Sequence, residues 1–355
     1  MKCITKISGL VTGITAIASV AAATGPETWR VNAWHVPFDY SSSSDIIDYA
    51  PVQDVSRPWT ICASYPHLKD SYWLSVNFGM VEEARRLGVK LRVVEAGGYP
   101  NVERQIAQVK ACVEDGANAL ALGTVSFEGL TPTVVEIAKS IPVIGVVNDI
   151  ADPGITAKTG VSWITMGRLP GEYLAERHPA GSEPVKVAWF PGPDGSGWVP
   201  FVEEGFRGAV EDAAVDIVVT KYGDTGTEIQ VLLIEEALEE RPDIDYIVGS
   251  AVTAEAAVSV LRARGLLGKI GVVADYYTHA VYRGLKRGRI LAAPTDFPVM
   301  QGRLGIDLAV RALEGTLNHR HIGPAIELVT DTNIEAVGGE GSLAPASFAP
   351  TFIVD

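Results

Sequence analysis

The sequence predicts an α/β protein with two lobes, each built on a doubly wound parallel sheet. From Trp59 onward, apolar strand-like runs alternate with helix-like segments, which end at glycine or just before proline. The first series of strand-like runs is TICASY, LRVVEA, ALALGT and PVIGVVND. The pattern then restarts with VKVAWFPG, DIVVTKYGD, YIVGSAV, KIGVVADY and ILAAPTD. Successive strand–helix–strand units indicate parallel sheets that helices cover on both faces.

Two series of similar size indicate two lobes with a cleft between the ends of their strands. The alternative is one large sheet, which is disfavoured because single sheets rarely exceed about ten strands. Helices are predicted between the strands, at LSVNFGMVEEARRLG, VERQIAQVKACVEDG and LTPTVVEIAKS in the first series and at FVEEGFRGAVEDA, TEIQVLLIEEALEERP, AEAAVSVLRARGL, HAVYRGLKRG and GRLGIDLAVRALEG in the second. Residues 24–56 lack clear periodicity and are predicted to form an extension before the first lobe.

Length and composition describe a globular protein that is unsuited to polyanionic partners. The chain has 355 residues, of which 47% are hydrophobic and 20% are charged. It can therefore bury the cores of two domains. The formal net charge of −14 argues against nucleic acid or an anionic membrane surface as a partner, because both require a basic patch. Acidity that simply keeps the protein soluble is the plainest interpretation of the charge.

The first residues have the pattern of a signal peptide. Lys2 and Lys6 give a positive start, residues 7–20 are apolar, and Ala21-Ala22-Ala23 provides a cleavage site of the A-x-A type. The apolar run is too short and too rich in glycine to span a membrane. Residues 1–23 are therefore predicted to be a signal peptide, and the mature protein is predicted to be exported.

Two cysteines remain in the predicted mature chain, Cys62 and Cys112. Cys62 lies on the first predicted strand, and Cys112 lies on a helix whose apolar face is expected to cover that strand. A lone pair of cysteines in an oxidising compartment is a candidate disulfide. Two buried free thiols are the alternative, since the geometry that decides between them is not visible in a sequence.

An acid and two aromatic residues follow the first predicted strand, in the segment KDSYW. Asp70, Tyr72 and Trp73 therefore lie at the carboxyl end of a parallel strand, where open α/β sheets bind ligands. Aromatic faces beside a carboxylate suit a small cationic or methylated ligand. Packing is the alternative role for each ring, because aromatic side chains dominate protein cores.

Catalysis and metal binding find little support in the sequence. The histidines are scattered, and no cysteine or acid pattern completes a metal site with them. Ser196 in GPDGSGW resembles the centre of a G-x-S-x-G nucleophile elbow, but Trp198 occupies the position of the final glycine. The same loop lacks the G-K-[ST] of a phosphate-binding loop. The sequence therefore predicts neither an enzyme nor a cofactor.

The segments TMGRLPGEYL and PGPDGSGWVPFVEEGFRGAV, in two α/β lobes after a signal peptide, resemble type I periplasmic binding proteins of the sugar-binding-like branch. In that family the chain crosses a multi-strand hinge more than once, so each lobe is discontinuous. The resemblance implies that lobe 1 comprises residues 57–160 plus 276–300 and that lobe 2 comprises 161–275 plus 301–335. Residues 336–355 would then form a C-terminal tail.

A narrower resemblance concerns family members that bind trimethylamine N-oxide and signal to a membrane sensor histidine kinase. It rests on YPHLKDSYWLSVNFGM, VVEAGGYPN, PVIGVVNDI, GVSWITMG, AEAA and VYRGLKRGRI. Sugar-binding members usually carry an Asn-Asp pair where this chain has Ala251, Val252 and Thr253. Sugar hydroxyls need several polar partners, because buried polar groups without partners are costly. The apolar replacement therefore argues against a sugar as the ligand.

The narrower resemblance implies an aromatic cage around the methylated nitrogen of the ligand. It assigns the cage to Tyr72, Trp73, Trp163 of GVSW and Tyr276 of VVADYY, with Tyr277 as the alternative to Tyr276. Asp70 would be the polar anchor. An ionised carboxylate only accepts hydrogen bonds, so it cannot satisfy the oxide directly. We expect either a proton shared between Asp70 and the oxide, which burial would favour, or a donor from a water, a hydroxyl or a backbone N–H.

The resemblance implies a periplasmic, non-enzymatic protein that binds trimethylamine N-oxide between its lobes and regulates a sensor histidine kinase in two-component signalling. The periplasmic sensor domain of that kinase would be its protein partner. The basic helix VYRGLKRGR is a candidate contact, and an ordinary solvated helix face is the alternative. Two other functions stay open: delivery of a sugar or another small solute to an ABC transporter, and an exported enzyme.

Overall fold

The computed structural model describes residues 28–337 and 342–355, so the predicted signal peptide at residues 1–23 lies outside the described part of the chain. The strands are β1 (Trp29–Trp34), β2 (Ser44–Tyr49), β3 (Thr60–Tyr65), β4 (Lys90–Glu95), β5 (Ala119–Leu122), β6 (Val143–Val147), β7 (Ala157–Gly160), β8 (Val185–Gly192), β9 (Val215–Tyr222), β10 (Tyr246–Gly249), β11 (Gly271–Ala274), β12 (Ala292–Thr295), β13 (His321–Pro324), β14 (Glu327–Thr330) and β15 (Ile353–Val354).

Helices connect most of these strands. They are α1 (Ser71–Leu87), α2 (Val102–Glu114), α3 (Thr131–Ile137), α4 (Trp163–Arg177), α5 (Val199–Val210), α6 (Thr227–Glu240), α7 (Ala251–Ala263), α8 (His279–Lys286), α9 (Pro298–Glu314) and α10 (Ile334–Val337). Within residues 28–337 and 342–355, none of the helices has both the length and the apolar character needed to cross a membrane.

Two sheets divide the chain into two lobes. The first has nine strands in the order β15-β4-β3-β5-β6-β7-β13-β1-β2, and the second has six in the order β14-β12-β11-β10-β8-β9. In the first sheet, the six strands from β4 to β13 along this order are parallel to one another. In the second sheet, the five strands from β12 to β9 are parallel to one another. Antiparallel strands close the edges. The two-lobed α/β fold predicted from the alternation is confirmed.

The boundaries between the lobes differ from the predicted ones. Residues 276–300 were assigned to lobe 1, yet α8 and β12 lie in lobe 2, because β12 pairs with β11 and β14 of the second sheet. Residues 301–335 were assigned to lobe 2, yet most of α9 and all of β13 belong to lobe 1. Strand β13 pairs with β1 and β7, and α9 packs on α1. The chain therefore crosses between lobes near residues 161, 296 and 325, and it returns to lobe 1 between α10 and β15.

Both ends of the described chain join the sheet of lobe 1. The predicted extension contributes β1 and β2, which pair with each other and with β13. The predicted tail contributes β15, which pairs with β4. Before it reaches β4, the tail contacts lobe 2: the carbonyl of Ala344 bonds to the His279 ring at 2.7 Å. The N–H of Ala344 donates to the Ser75 hydroxyl of lobe 1 at 3.1 Å, so the tail bridges the two lobes.

A disulfide joins Cys62 of β3 to Cys112 of α2, with the two Cα atoms 6.1 Å apart. Both cysteines are buried. The bond fixes α2 on the face of the sheet that it covers. Helices α1 and α9 are also in close contact, since a Cβ on Gly302 would lie 2.2 Å from the carbonyl oxygen of Val76.

Candidate functional site

A small enclosed space lies between the lobes, where the carboxyl ends of their parallel strands meet. Its volume is about 20 Å³. The five residues predicted to bind ligand all line it, together with four others: Asp70, Tyr72, Trp73, Tyr99, Asn148, Trp163, Trp198, Thr225 and Tyr276. The sequence-predicted residues therefore come together at one place, although they lie far apart along the chain.

Asp70 positions the two aromatic residues that follow it. It is the N-cap of α1, and one carboxylate oxygen accepts the backbone N–H groups of Tyr72 at 3.1 Å and Trp73 at 3.0 Å. An N-cap carboxylate satisfies donors that the first helical turn leaves free. The segment KDSYW thus follows strand β3 after a short loop, starts α1 and places both rings at the cavity. The role of Asp70 is in part structural, because one of its oxygens is committed to the helix.

Five rings form a continuous aromatic wall that draws on both lobes. Tyr72 lies 5.9 Å from Trp73 and 5.3 Å from Tyr276 between ring centroids. Trp198 lies 5.8 Å from Tyr276 and 5.5 Å from Trp163. Each of the five side chains is at most 5% exposed. We call Tyr72, Trp73, Trp163, Trp198 and Tyr276 the aromatic cage.

The structure distinguishes between the two adjacent tyrosines at the end of β11. Tyr276 lines the cavity. Tyr277 is fully buried, and its hydroxyl has no partner among the described residues. Of the two tyrosines, Tyr276 is therefore the one that lines the cavity.

Tyr99, Asn148, Trp198 and Thr225 were not predicted as site residues. They follow β4, β6, β8 and β9 respectively, at the same carboxyl edge that drew attention to KDSYW. Applying that rule to every strand would have found them. Trp198 stands at the final position of an incomplete G-x-S-x-G pattern, and Tyr99 lies in the segment GGYPN.

Tyr99 supplies a hydroxyl donor in the cavity wall. The Asn148 amide donates to the Tyr99 oxygen at 3.2 Å and to the Thr124 carbonyl at 2.8 Å. That bond uses the oxygen of Tyr99 as an acceptor and leaves its hydrogen available. Burial raises the pKa of Tyr99 above its usual range, so the hydroxyl stays protonated. The indole N–H of Trp163, by contrast, is used by the Val147 carbonyl at 3.1 Å.

Tyr72 is held by a carboxylate from outside the cavity. Its hydroxyl donates to Asp296 Oδ2 at 2.5 Å, and the Gln301 amide donates to the same oxygen at 2.6 Å. Burial raises the pKa of Asp296 to about 6, while the two hydrogen bonds act in the opposite direction. Asp296 lies in the crossover from β12 to α9, so the cage is connected to a segment that links the lobes.

Contacts across the cleft show that the lobes are closed on each other. The N–H of Asp149 donates to the Gly197 carbonyl at 3.0 Å, and a Cβ on Gly197 would lie 2.0 Å from the Asp149 carbonyl oxygen. Glycine is therefore required at this point of approach. The His67 ring and the Thr225 hydroxyl are hydrogen-bonded at 3.0 Å.

The chemistry of the site is that of recognition. Within the described ranges, no group of three or more His, Cys, Asp or Glu side chains could hold a metal ion. Ser196, the residue of the apparent nucleophile motif, is buried and does not line the cavity. Aromatic faces, one half-buried carboxylate and a phenolic donor can hold a small ligand that has a methylated, electron-poor end and an accepting end.

Comparison with known proteins gives consistent matches over most of the chain. Residues 58–335 match the family described as periplasmic binding proteins and sugar binding domain of LacI family. The chain is 43% identical over 298 residues to the periplasmic protein TorT of Escherichia coli strain K12, covering 83% of this chain and 85% of TorT.

Two solved structures extend the comparison to three dimensions. One is an ABC transporter solute-binding protein from Bradyrhizobium sp. BTAi1 with bound Bis-Tris. It is 47% identical, with a TM-score of 0.78, and the match covers 93% of this chain and 99% of that one. The other is the complex of the TorS sensor domain with TorT in the presence of TMAO. Its matching chain is 42% identical, with a TM-score of 0.76, and the match covers 83% of this chain and 99% of that one.

Proposed function

Because this chain belongs to the family of periplasmic binding proteins and LacI-type sugar-binding domains, we propose that it is a periplasmic, non-enzymatic sensor component. It binds trimethylamine N-oxide between its lobes and regulates a membrane sensor histidine kinase in two-component signalling. One observation carries the proposal: aromatic rings from both lobes surround a cavity of about 20 Å³ beside one half-buried carboxylate. The TorT relative in complex with a sensor domain and TMAO supports the same function.

The cage matches the methylated end of this ligand. The three methyl groups of trimethylamine N-oxide surround a nitrogen with positive charge, and aromatic faces attract such groups by about 0.5 to 2 kcal/mol per ring. Asp70 lies at the cavity and adds negative charge near the nitrogen. Because all the rings are buried, this attraction acts with little competition from water.

Tyr99 matches the accepting end. The oxide needs a donor, and the sequence left the choice between a proton shared with Asp70 and another group. We assign the donor to the Tyr99 hydroxyl, because its hydrogen is free and its pKa is raised by burial. Asp70 then has no need to carry a proton. One of its oxygens already accepts two backbone N–H groups.

A sugar fits the same cavity poorly. A sugar ring presents hydroxyls on every side, and each needs a partner when it is buried. The lining offers few polar groups, and its walls are mostly aromatic. Thr253, at the position of the usual Asn-Asp pair, bonds instead to the Gln230 side chain at 2.7 Å.

Signalling follows from the dependence of the site on both lobes. A ligand that touches rings of both lobes stabilises the closed arrangement over any open one. A receptor that recognises the closed arrangement is then coupled to ligand binding, and each raises the affinity of the other. The periplasmic sensor domain of the kinase is the partner in this proposal.

A second candidate function is delivery of a small amine to an ABC transporter. The observation that favours it is the 47% identical transporter solute-binding protein, which holds Bis-Tris. Bis-Tris is a tertiary amine, so an aromatic cage suits its nitrogen when it is protonated, although its hydroxyls would need polar partners as those of a sugar do. Ligand-dependent binding to a sensor domain supports the signalling function, whereas stimulation of a reconstituted transporter supports delivery.

The experiment that tests the ligand is calorimetric titration of the mature protein with trimethylamine N-oxide, betaine, choline, Bis-Tris and ribose. We expect the strongest binding with trimethylamine N-oxide and none with ribose. Size-exclusion chromatography with the sensor domain, with and without ligand, then tests the partner. Binding of ribose without any methylated compound would overturn the proposal.

Tyr99→Phe is expected to weaken trimethylamine N-oxide binding by about tenfold, since a hydrogen bond to a charged group contributes about 1.5 kcal/mol or more. Tetramethylammonium has no oxide, so its affinity should be nearly unchanged. Calorimetric titration with both ligands measures how much affinity each one loses in the variant. Unchanged affinity for both ligands would show that the Tyr99 hydroxyl does not bind the oxide, and equal losses for both would show that the hydroxyl only maintains the shape of the cavity.

A further inference from the structure

The cage residue Tyr72 has a partner that does not itself line the cavity. Asp296 is completely buried behind the Tyr72 ring, and its Oδ2 accepts the Tyr72 hydroxyl at 2.5 Å. The Gln301 amide bonds to the same oxygen at 2.6 Å and to the Asp296 carbonyl at 3.2 Å. The other oxygen, Oδ1, has no partner among the described residues. A single short hydrogen bond, from the Tyr72 hydroxyl, thus connects the carboxylate to the aromatic cage.

The surroundings of Asp296 leave its charge uncompensated. The groups that face it are the neutral Tyr72 hydroxyl from α1, the Gln301 amide from α9 and its own backbone. Beyond Tyr72 stand other tyrosines, Tyr99 and Tyr276, whose pKa values burial raises. With its pKa near 6, Asp296 is ionised at neutral pH and becomes protonated as the pH falls through that value.

A buried carboxylate of this kind reduces folding stability. Its pKa is raised from 3.8 to about 6 in the folded protein, so the folded state binds the proton more tightly than the unfolded state does. The preference for the protonated form contributes its full amount to the free energy of unfolding below pH 3.8. This contribution is lost as the pH rises through 6, where Asp296 ionises in the folded protein. Groups with such shifts concentrate at functional sites. The raised pKa therefore points to a functional role for the Asp296 charge, and its position behind a ring of the aromatic cage indicates what that role is.

We propose that Asp296 is a positioning residue of the aromatic cage, which orients Tyr72 and makes the cavity prefer ligands with a positively charged methylated nitrogen. The inference rests on the proposed function. A phenol that donates to a carboxylate forms a charge-assisted bond. The bond shifts electron density into the ring, and a ring face with more electron density attracts cations more strongly. The carboxylate also contributes its own field at the cavity.

The position of Asp296 connects this effect to the lobes. It lies between β12 of lobe 2 and α9 of lobe 1, in one of the crossovers. The next residue, Phe297, has a φ of 52°, a left-handed conformation that is uncommon for residues other than glycine. Tyr72 belongs to lobe 1, so the Tyr72–Asp296 bond fixes a cage ring to the segment where the chain changes lobes.

The test uses Asp296→Asn, which keeps the size of the side chain and removes its charge. The mature protein is titrated with tetramethylammonium, a permanent cation, and with tert-butanol, a neutral compound that also has three methyl groups. We expect the variant to bind tetramethylammonium about tenfold more weakly at pH 7.5. Binding of tert-butanol should change little. Wild-type affinity for tetramethylammonium should fall between pH 7.5 and 5, and the variant should lose that pH dependence.

A matched control is available on α9, the helix that follows Asp296. Asp307 of α9 also accepts a tyrosine hydroxyl, that of Tyr49, at a site that does not line the cavity. Asp307→Asn should leave the pH profile of binding unchanged. Thermal unfolding gives an independent readout: Asp296→Asn should unfold at an equal or higher temperature than wild type at pH 7.5. A second variant, Tyr72→Phe, keeps the ring, removes the bond and should also reduce the preference for the cation.

The outcomes separate this inference from the proposed function. If wild type binds the methylated probes but Asp296→Asn binds both probes as well as wild type does, the positioning role is wrong. Equal losses for tetramethylammonium and tert-butanol, with a lower unfolding temperature, would show a purely structural role instead. If wild type binds no methylated compound, the proposed function fails and this inference fails with it.

Discussion

Trp73→Ala is expected to weaken trimethylamine N-oxide binding by about thirtyfold or more. A desolvated aromatic ring contributes about 2 kcal/mol to holding a methylated cation, which corresponds to that factor. Trp73 is only 2% exposed, and its backbone N–H donates to the carboxylate of the N-cap residue Asp70. Removing the indole also opens a space that water would fill. Calorimetric titration at neutral pH measures the loss.

The matched control for Trp73→Ala is Trp59→Ala. Trp59 is half-buried outside the cavity, where its indole donates to Glu314 at 2.6 Å and Arg57 lies over its ring. That variant should lose some thermal stability and keep its affinity. Trp73→Phe, which restores an aromatic face, should recover part of the binding. Full affinity in Trp73→Ala would contradict the assignment of the cage.

The fold was predictable because its strands are short, apolar and regularly spaced. Parallel strands that are buried on both faces read as continuous apolar runs, and β5 (ALAL) and β6 (VIGVV) are clear cases. The lobe boundaries were harder to predict. Helices α8 and α9 follow each other with similar patterns, and nothing local indicates which sheet each one covers. That choice depends on β12 pairing with β11, a contact between distant residues.

The site was partly predictable for a related reason. KDSYW stood out because an acid and two rings follow one strand directly, and the same segment carries the family resemblance. Asp296 could not be found in this way, since its role depends on the hydroxyl of Tyr72, which lies 224 positions away in sequence. The hydrogen bonds of the Asp70 carboxylate could not be predicted either, because they depend on the residue at which α1 begins.

The composite cage gives a physical reason for linking affinity to closure. Tyr72 and Trp73 come from lobe 1, whereas Trp198 and Tyr276 come from lobe 2. An open arrangement would separate these pairs and leave the ligand with half of its partners. The full binding energy is therefore available only in the closed state, and this difference in affinity is the condition for a ligand to shift a conformational equilibrium.

Replacing both Cys62 and Cys112 with serine is expected to lower the free energy of unfolding by about 4 kcal/mol. The two cysteines are 50 positions apart, and closing a loop of that length removes a corresponding amount of entropy from the unfolded chain. For a lobe of this size, the loss corresponds to a fall of roughly 10 °C in the unfolding temperature. Ligand affinity should change little, since neither cysteine lines the cavity.

The single variants Cys62→Ser and Cys112→Ser provide the control, because each also breaks the bond. If the crosslink is the source of stability, both should unfold near the temperature of the double variant, and reducing agent should lower wild type toward the same value. If packing of the two cysteine side chains were the source of stability instead, the unfolding temperatures of the variants would follow a different pattern. Cys62 is 1% exposed and Cys112 is 7% exposed, so a packing effect would make Cys62→Ser the more harmful change. Reducing agent should then have little effect, because reduction leaves both side chains in place.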